Sequence, residues 1–187
     1  MTANRRKKLI KLRKGQLVIL IAPTATGKTT FCKKNFNLEE CKIISYDEIH
    51  KKNLSNNSKD ISKAILDGVD EFYDKIKESL HQKNLTIVDS IFLDFDKRNI
   101  DFLRRNIFKE IKDLEIVGIV LLRNSDWSIR KKEKRNMNKL SEEQKEEIIK
   151  QYDKMVYNYV YGIYDQALNF VYMLENDEID NVKIKFI

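Results

Sequence analysis

The chain has 187 residues, of which 42% are hydrophobic and 35% are charged, and its formal net charge is +7. This length and composition predict one globular domain with a substantial core. No apolar run approaches the ~20 residues of a membrane-spanning helix, the N-terminus lacks the apolar stretch of a secretory signal, and two cysteines suggest neither a disulfide framework nor a zinc site. We therefore expect a cytoplasmic protein. The abundance of Lys, Asn and Ile is typical of proteins from AT-rich genomes, which include those of many viruses.

The positive charge is concentrated in two segments. Residues 1–14 contain seven Lys and Arg residues and no acid, which equals the net charge of the whole chain. We expect this segment to be a basic N-terminal arm, either a short helix or without fixed structure. Residues 123–135 form a second basic cluster. Two such segments suit a polyanionic partner such as nucleic acid, although a solvated surface would have the same composition.

Strand-like and helix-like segments alternate along the chain after this arm. We predict strands at about residues 16–21, 42–45, 85–90, 115–122, 170–174 and 182–187, and helices at about 28–35, 60–82, 97–112, 125–135 and 141–168, with a polar loop at 53–59. This alternation predicts an α/β fold with a parallel sheet and helices on both of its faces, formed by residues 15–187 as a single domain. Ligands should then bind at the C-terminal ends of the strands.

The first predicted strand leads into a phosphate-binding loop. Residues 22–30, Ala-Pro-Thr-Ala-Thr-Gly-Lys-Thr-Thr, follow the pattern G-x-x-x-x-G-K-[ST], with alanine in place of the first glycine. Backbone N–H groups of such a loop and of the following helix attract phosphates. The candidate nucleotide-binding residues are Ala22, Thr24, Ala25, Thr26, Gly27, Lys28, Thr29 and Thr30. Lys28 should reach the β- and γ-phosphates, and the Thr29 hydroxyl should bind Mg²⁺. Ala22 fits if its φ angle is negative.

Two carboxylates follow the next two predicted strands. Asp47 comes directly after the second strand and is the candidate catalytic base; Asp89 ends the third strand and is a candidate Mg²⁺ ligand. In either case the alternative is a carboxylate that caps the following turn.

A segment at about residues 125–140 is predicted to be a lid over the site. Its helix carries Arg130, Lys131 and Arg135, cations of the kind that stabilise the charge of a transferred phosphoryl group. The alternative is a charged helix that faces solvent.

Residues 16–157 resemble the P-loop polynucleotide 5′-hydroxyl kinases of phage and other nucleic-acid repair systems. The matching features are the loop at 22–29, a four-residue element at 47–50 that begins with Asp47, Asp89 with Lys97 and Arg98, the lid at 130–135 and a helix at 148–152. The family has an arginine where this chain has His50.

The resemblance implies ATP and Mg²⁺ as cofactors, with Lys28 among the catalytic residues. Asp47 would accept the proton of a 5′-hydroxyl, and Arg135 with Arg130 or Lys131 would clamp the phosphates. The nucleic-acid acceptor would be bound by His50, Lys51 and Arg98.

We therefore predict a kinase of RNA or DNA 5′-hydroxyl ends, with no membrane partner. Three alternatives stay open at this point: a kinase of a small hydroxyl compound, an enzyme similar to the tRNA prenyltransferases, and a nucleotide-binding switch without catalysis.

Overall fold

The computed structural model describes residues 8–56, 60–90, 104–105 and 108–187. Five parallel strands form the central sheet in the spatial order β3–β4–β2–β5–β6. The strands are β2 (Leu17–Ile21), β3 (Cys41–Ser45), β4 (Leu85–Asp89), β5 (Ile116–Leu122) and β6 (Phe170–Glu175). All of their pairings are parallel, so the C-terminal ends of β2, β3 and β4 lie at one edge of the sheet. The predicted α/β architecture is confirmed.

Helices connect the strands and cover both faces of the sheet. They are α1 (Lys28–Asn35), α2 (Tyr46–Asn56), α3 (Ile61–His81), α4 (Ser125–Asn136), α5 (Glu142–Val160), α6 (Ile163–Ala167) and α7 (Asp177–Asn181). No helix in the described part of the chain is long and apolar enough to cross a membrane.

Alternate residues of β2 belong to two separate cores. Leu17, Ile19 and Ile21 pack with buried residues of α3, α5 and α6. Val18 and Leu20 pack with α1, with the short strand β1 (Leu9–Leu12) and with α7 on the opposite face. Successive side chains of a strand point to opposite faces, so the continuous apolar run of β2 is explained by burial on both sides.

A second, two-stranded sheet lies on the α1 side. Strand β1 (Leu9–Leu12) pairs in parallel with β7 (Lys183–Phe186), and Ile10 and Leu12 are fully buried. The prediction of a short helix or no fixed structure is therefore wrong for residues 9–12. The four-residue segment Leu-Ile-Lys-Leu is too short to give a strong local preference, and the strand forms because β7 provides its partner.

Several predicted boundaries differ from those of the structure. Residues 53–56 belong to α2 rather than to a loop, because the buried Asn53 side chain donates to the Ile49 carbonyl oxygen and to Glu71. The long helix predicted at 141–168 is two helices, interrupted at Gly162, whose φ is +66°. Most of the helix predicted at 97–112 lies outside the described residues, and residues 108–112 form turns.

Candidate active site

The phosphate-binding loop has its left-handed residues away from position 22. The positive φ angles are at Ala25, 62°, and at Gly27, 102°, which is the N-cap of α1. Ala22 has no positive φ and is fully buried in the core on the α1 face. A glycine is therefore not required there, and alanine adds apolar contact. Alanine was expected to fit at position 22 if its φ angle is negative, and this condition is met.

Thr29 and Asp89 form the polar centre of the site. The Thr29 hydroxyl donates to Asp89 Oδ2 at 2.7 Å, across the gap between the first turn of α1 and the end of β4. The β3–β4 register places Ser45 opposite Asp89, so the N-terminus of α2 begins beside the same carboxylate. Burial raises the pKa of Asp89, while the Thr29 hydrogen bond and the Lys28 charge act in the opposite direction.

Lys28 lies over the loop in the structure. Its Nζ donates to the Ala22 carbonyl oxygen at 3.0 Å and to that of Pro23 at 3.4 Å. Burial lowers the pKa of Lys28, and the charges of Asp89 and Asp47 oppose that shift. A partly desolvated ammonium group beside two carboxylates is electrostatically suited to an incoming polyanion.

One open cleft of about 330 Å³ brings most of the predicted residues together. Its lining comprises Thr24, Ala25, Gly27, Lys28, Thr29, Thr30, Asp47, Asp89, Ser90, Trp127, Lys131 and Arg135. Asp47 is exposed in the first turn of α2, directly after β3. Lys131 and Arg135 approach from α4, so the basic helix lies against the cleft as a lid would.

Other predicted residues lie apart from this cleft. Ala22 and Thr26 are loop residues that are buried and do not line the cleft. Arg130 is exposed, and its Nε donates to the Asp126 carbonyl oxygen at 3.2 Å within α4. The site roles of these three residues stay predictions.

The two predicted acceptor residues that the structure describes, His50 and Lys51, do not line the cleft either. The His50 ring stacks on Tyr46 at 5.6 Å between centroids, and its backbone lies against Gly68 of α3. Lys51 is exposed on α2. Arg98 lies outside the described residues, so its role stays a prediction.

Sequence analysis missed Trp127, the single tryptophan of the chain. The Arg123 guanidinium lies 4.6 Å from its ring centroid, and Lys131 Nζ lies 5.0 Å from it. Arg123 is held in turn by Asp180, with hydrogen bonds of 2.8 and 2.9 Å. Trp127 and Lys131 are four residues apart on α4, a spacing that was visible in the sequence and is typical of contacts on one helix face, whereas Arg123 precedes the helix.

Two oxygen ligands of the kind that Mg²⁺ prefers meet in this site. Proteins commonly hold Mg²⁺ through one or two such side chains together with substrate phosphates and water. The Thr29 hydroxyl and the Asp89 carboxylate fit this donor set, and they are the residues that would hold the ion.

Comparison with solved structures identifies the fold. A gluconokinase from Sinorhizobium meliloti aligns over 91% of this chain and 89% of its own length, with a TM-score of 0.53 and 10% identity. A shikimate kinase from Bacteroides thetaiotaomicron aligns over 88% and 91%, with a TM-score of 0.52 and 16% identity. A deoxyadenosine kinase from M. mycoides aligns over 88% and 95%, with a TM-score of 0.52 and 13% identity.

No family model matches the sequence, and no curated protein was found to be similar to it. At these low identities the structural likeness establishes the architecture and leaves the acceptor open. The phosphate-binding loop, the parallel sheet and the basic helix beside the cleft together give this chain the fold of the P-loop kinases.

Proposed function

We propose that this protein is an ATP-dependent phosphotransferase that uses the cleft between the phosphate-binding loop and α4. The observation that carries the proposal is the 2.7 Å hydrogen bond from Thr29 to Asp89, which joins the two expected Mg²⁺ ligands beside Lys28. A site of this kind needs little covalent chemistry from the protein, because phosphoryl transfer depends mainly on positioning and on electrostatic stabilisation.

Each side chain of the cleft then has a distinct role. Lys28 would exchange its bonds to loop carbonyl groups for bonds to the β- and γ-phosphates. Asp47 would accept the proton of the acceptor hydroxyl, and its exposed position leaves room for a large acceptor. Lys131 and Arg135 would stabilise the charge on the transferred group from the side of α4. Thr29 and Asp89 would hold Mg²⁺, and the ion would supply positive charge that neutralises part of the phosphate charge.

The acceptor that we propose is the 5′-hydroxyl of a polynucleotide. The order of loop, Asp47, Asp89 and basic helix supports this choice, as does the excess of positive charge on the chain. A small hydroxyl compound is the second candidate. It is favoured by the likeness, over most of the chain, to solved kinases whose names specify gluconate, shikimate and deoxyadenosine.

Transfer of γ-labelled phosphate from ATP tests both acceptors directly. The panel would contain 5′-hydroxyl RNA and DNA oligonucleotides, the same oligonucleotides with a 5′-phosphate, single nucleosides and small sugar alcohols or acids. We expect label on the 5′-hydroxyl oligonucleotides and none on their 5′-phosphorylated controls. Label on a small compound alone would replace the polynucleotide acceptor with the second candidate.

Two variants control this experiment. Lys28→Ala should lose transfer, whereas Lys33→Ala, an exposed lysine on the same helix α1, should retain it. Loss of transfer in both variants, or in neither, would contradict the role of the phosphate-binding loop.

A further inference from the structure

A chain of buried hydroxyl groups joins the phosphate-binding loop to two helices. Tyr152 of α5 has its phenol oxygen 2.7 Å from Ser128 Oγ of α4 and 3.3 Å from Thr26 Oγ1 of the loop. The exposed fractions of the three residues are 6% for Tyr152, 0% for Ser128 and 1% for Thr26. Buried hydroxyl groups are costly unless they are hydrogen-bonded, so these contacts are structurally significant.

The direction of the chain follows from the number of hydrogens available. The Thr26 hydroxyl donates its one hydrogen to the Pro23 carbonyl oxygen at 2.9 Å. Between Tyr152 and Thr26 the donor must therefore be Tyr152, and between Ser128 and Tyr152 the donor must be Ser128. The hydrogen bonds run in one direction, from α4 through α5 to a carbonyl group of the loop. Aligned bonds of this kind polarise and strengthen one another.

Two further contacts connect the same three elements. Gln151, adjacent to Tyr152, accepts a hydrogen bond from the Thr24 backbone N–H at 3.2 Å. The Trp127 ring of α4 lies 3.9 Å from the position that a Cβ atom would occupy at Gly27. The loop is thus contacted by α4 and α5 at three of its residues, 24, 26 and 27, and not only by its own backbone.

The anchored residue of α4 also determines where the cations of that helix point. Ser128, Lys131 and Arg135 are separated by three and then four residues, so they share one face of α4. Ser128 is buried against Tyr152, while Lys131 and Arg135 reach the cleft. A rotation of α4 that broke the Ser128 bond would also turn both cations away from the cleft.

We propose that Tyr152 is a positioning residue that couples the lid helix to the phosphate-binding loop. Its hydroxyl holds Thr26 and Ser128 together, so the conformation of the loop and the rotational setting of α4 are determined jointly. Tyr152 does not line the cleft in which the nucleotide phosphates are expected to bind, and it acts only through Thr26 and Ser128. The inference rests on the proposed function in one respect, namely that the loop binds a nucleoside triphosphate.

The test is a comparison of nucleotide affinities by calorimetry, with the β,γ-imido analogue of ATP and Mg²⁺ as the probe. Tyr152→Phe removes only the hydroxyl, and Ser128→Ala removes the other end of the same bond. We expect each variant to weaken binding about fivefold, the effect of losing roughly 1 kcal/mol of hydrogen bonding. The double variant should bind no more weakly than Tyr152→Phe alone, because both changes break one chain.

Tyr157→Phe is the matched control, since Tyr157 is an exposed tyrosine on the same helix. Its affinity should equal that of the wild type. If Tyr152→Phe fails to fold, Ser128→Ala and the pair Thr26→Ser and Thr26→Val answer the same question, because Ser keeps the hydroxyl and Val removes it.

The outcomes separate this inference from the proposed function. Wild-type affinity in Tyr152→Phe, with only a lower melting temperature, would show a structural role and overturn the coupling. Independent, multiplying losses in the double variant would overturn it as well. Weakened binding in the variants of a wild-type protein that transfers no phosphate would support the coupling and refute the phosphotransferase. A wild-type protein that does not bind the probe would refute both.

Discussion

At the scale of single residues, Asp89 would have to be charged to act as the expected Mg²⁺ ligand, yet it lies in a place that disfavours charge. Burial is the largest influence on its carboxyl group and raises its pKa, although Thr29 and Lys28 partly compensate. Sites that bind metal ions often keep such groups at the expense of stability. The free energy of unfolding of the metal-free protein should therefore reflect this burial.

We predict that Asp89→Asn stabilises the metal-free protein at pH 7. The amide keeps an oxygen that can accept the Thr29 hydrogen bond, but it has no charge to desolvate. The melting temperature should rise by about 2–4 °C, the shift that accompanies about 1 kcal/mol in a chain of this length. Asp70→Asn, at an exposed position on α3, is the control and should cause little change. A lower melting temperature in Asp89→Asn would mean that the charge is net stabilising.

The raised pKa of Asp89 also predicts how the stability of the protein changes with pH. Because the pKa of Asp89 is raised in the folded state, its contribution to stability is fully present below the unfolded-state pKa of about 3.9 and is lost as pH rises through the folded-state value. The advantage of Asp89→Asn over the wild type should therefore narrow as pH falls from 7 towards 4. Thermal unfolding at several pH values without metal measures this difference, and a widening advantage would contradict the sign.

Asp47 is the residue whose removal should affect turnover most specifically. We predict that Asp47→Asn lowers kcat by about 10²–10⁴-fold, the usual effect of losing a general base, while nucleotide binding persists. Its neighbour Glu48 is also exposed in the first turn of α2, so Glu48→Gln is a matched control. Steady-state kinetics with calorimetric binding of ATP separates the two effects. Equal kcat in wild type and Asp47→Asn would remove Asp47 from the mechanism.

At the scale of secondary-structure elements, the rotational setting of α4 distinguishes its arginines. Arg135 reaches the cleft, whereas Arg130 is exposed and bonded to its own helix. We predict that Arg135→Ala lowers kcat by about 10²-fold, as expected for losing one group that stabilises transition-state charge. Arg130→Ala should have a much smaller effect, measured by the same kinetics. The reverse order would show that α4 rotates or moves when substrates bind.

Strand β1 provides a comparison between two leucines of one element. Leu12 is fully buried in the core on the α1 face, whereas Leu9 is 45% exposed. We predict that Leu12→Ala lowers the free energy of unfolding by about 2–5 kcal/mol and that Leu9→Ala lowers it by much less. Denaturant unfolding measures both. If Leu12→Ala lowered the free energy of unfolding as little as Leu9→Ala, the packing of β1 would contribute little to stability.

At the scale of the whole molecule, the basic N-terminal segment contributes both positive charge and, through β1, buried side chains. A deletion of residues 1–14 would remove buried Ile10 and Leu12 together with the charges, so weaker nucleic-acid binding could then reflect lost stability. A deletion of residues 1–7 removes Arg5, Arg6 and Lys7 and leaves all of β1. The shorter deletion is therefore the informative one.

We predict that the deletion of residues 1–7 weakens binding to single-stranded oligonucleotides and flattens its salt dependence. Three phosphate contacts contribute about 2 to the slope of log K against log salt concentration, since each releases about 0.7 counterions on single strands. Fluorescence anisotropy titrations between 50 and 200 mM salt measure this slope. An unchanged slope would show that the first seven residues do not touch phosphates.

The alternation of apolar strands and amphipathic helices was enough to predict the α/β architecture and most of the cleft. Local patterns determine these features: the loop motif places Lys28 and Thr29 at the start of a helix, and Asp47 and Asp89 follow strands whose parallel pairing brings their ends to one edge. Element boundaries were less predictable. Residues 53–56, for example, extend α2 although a polar loop was predicted there, because the Asn53 side chain finds its partner Glu71 on α3.

Tertiary structure alone decided the relations between residues distant in sequence. The pairing of β1 with β7 joins the two ends of the described chain, and local preference contains no information about such a partner. The contacts among Thr26, Ser128 and Tyr152 span 126 residues, and each residue is unremarkable in its own segment. The amino-acid sequence by itself thus determined which groups could perform the chemistry. Packing in three dimensions decided which of those groups face the cleft and which hidden residues hold them there, because burial and side-chain direction depend on neighbours that the local sequence does not specify.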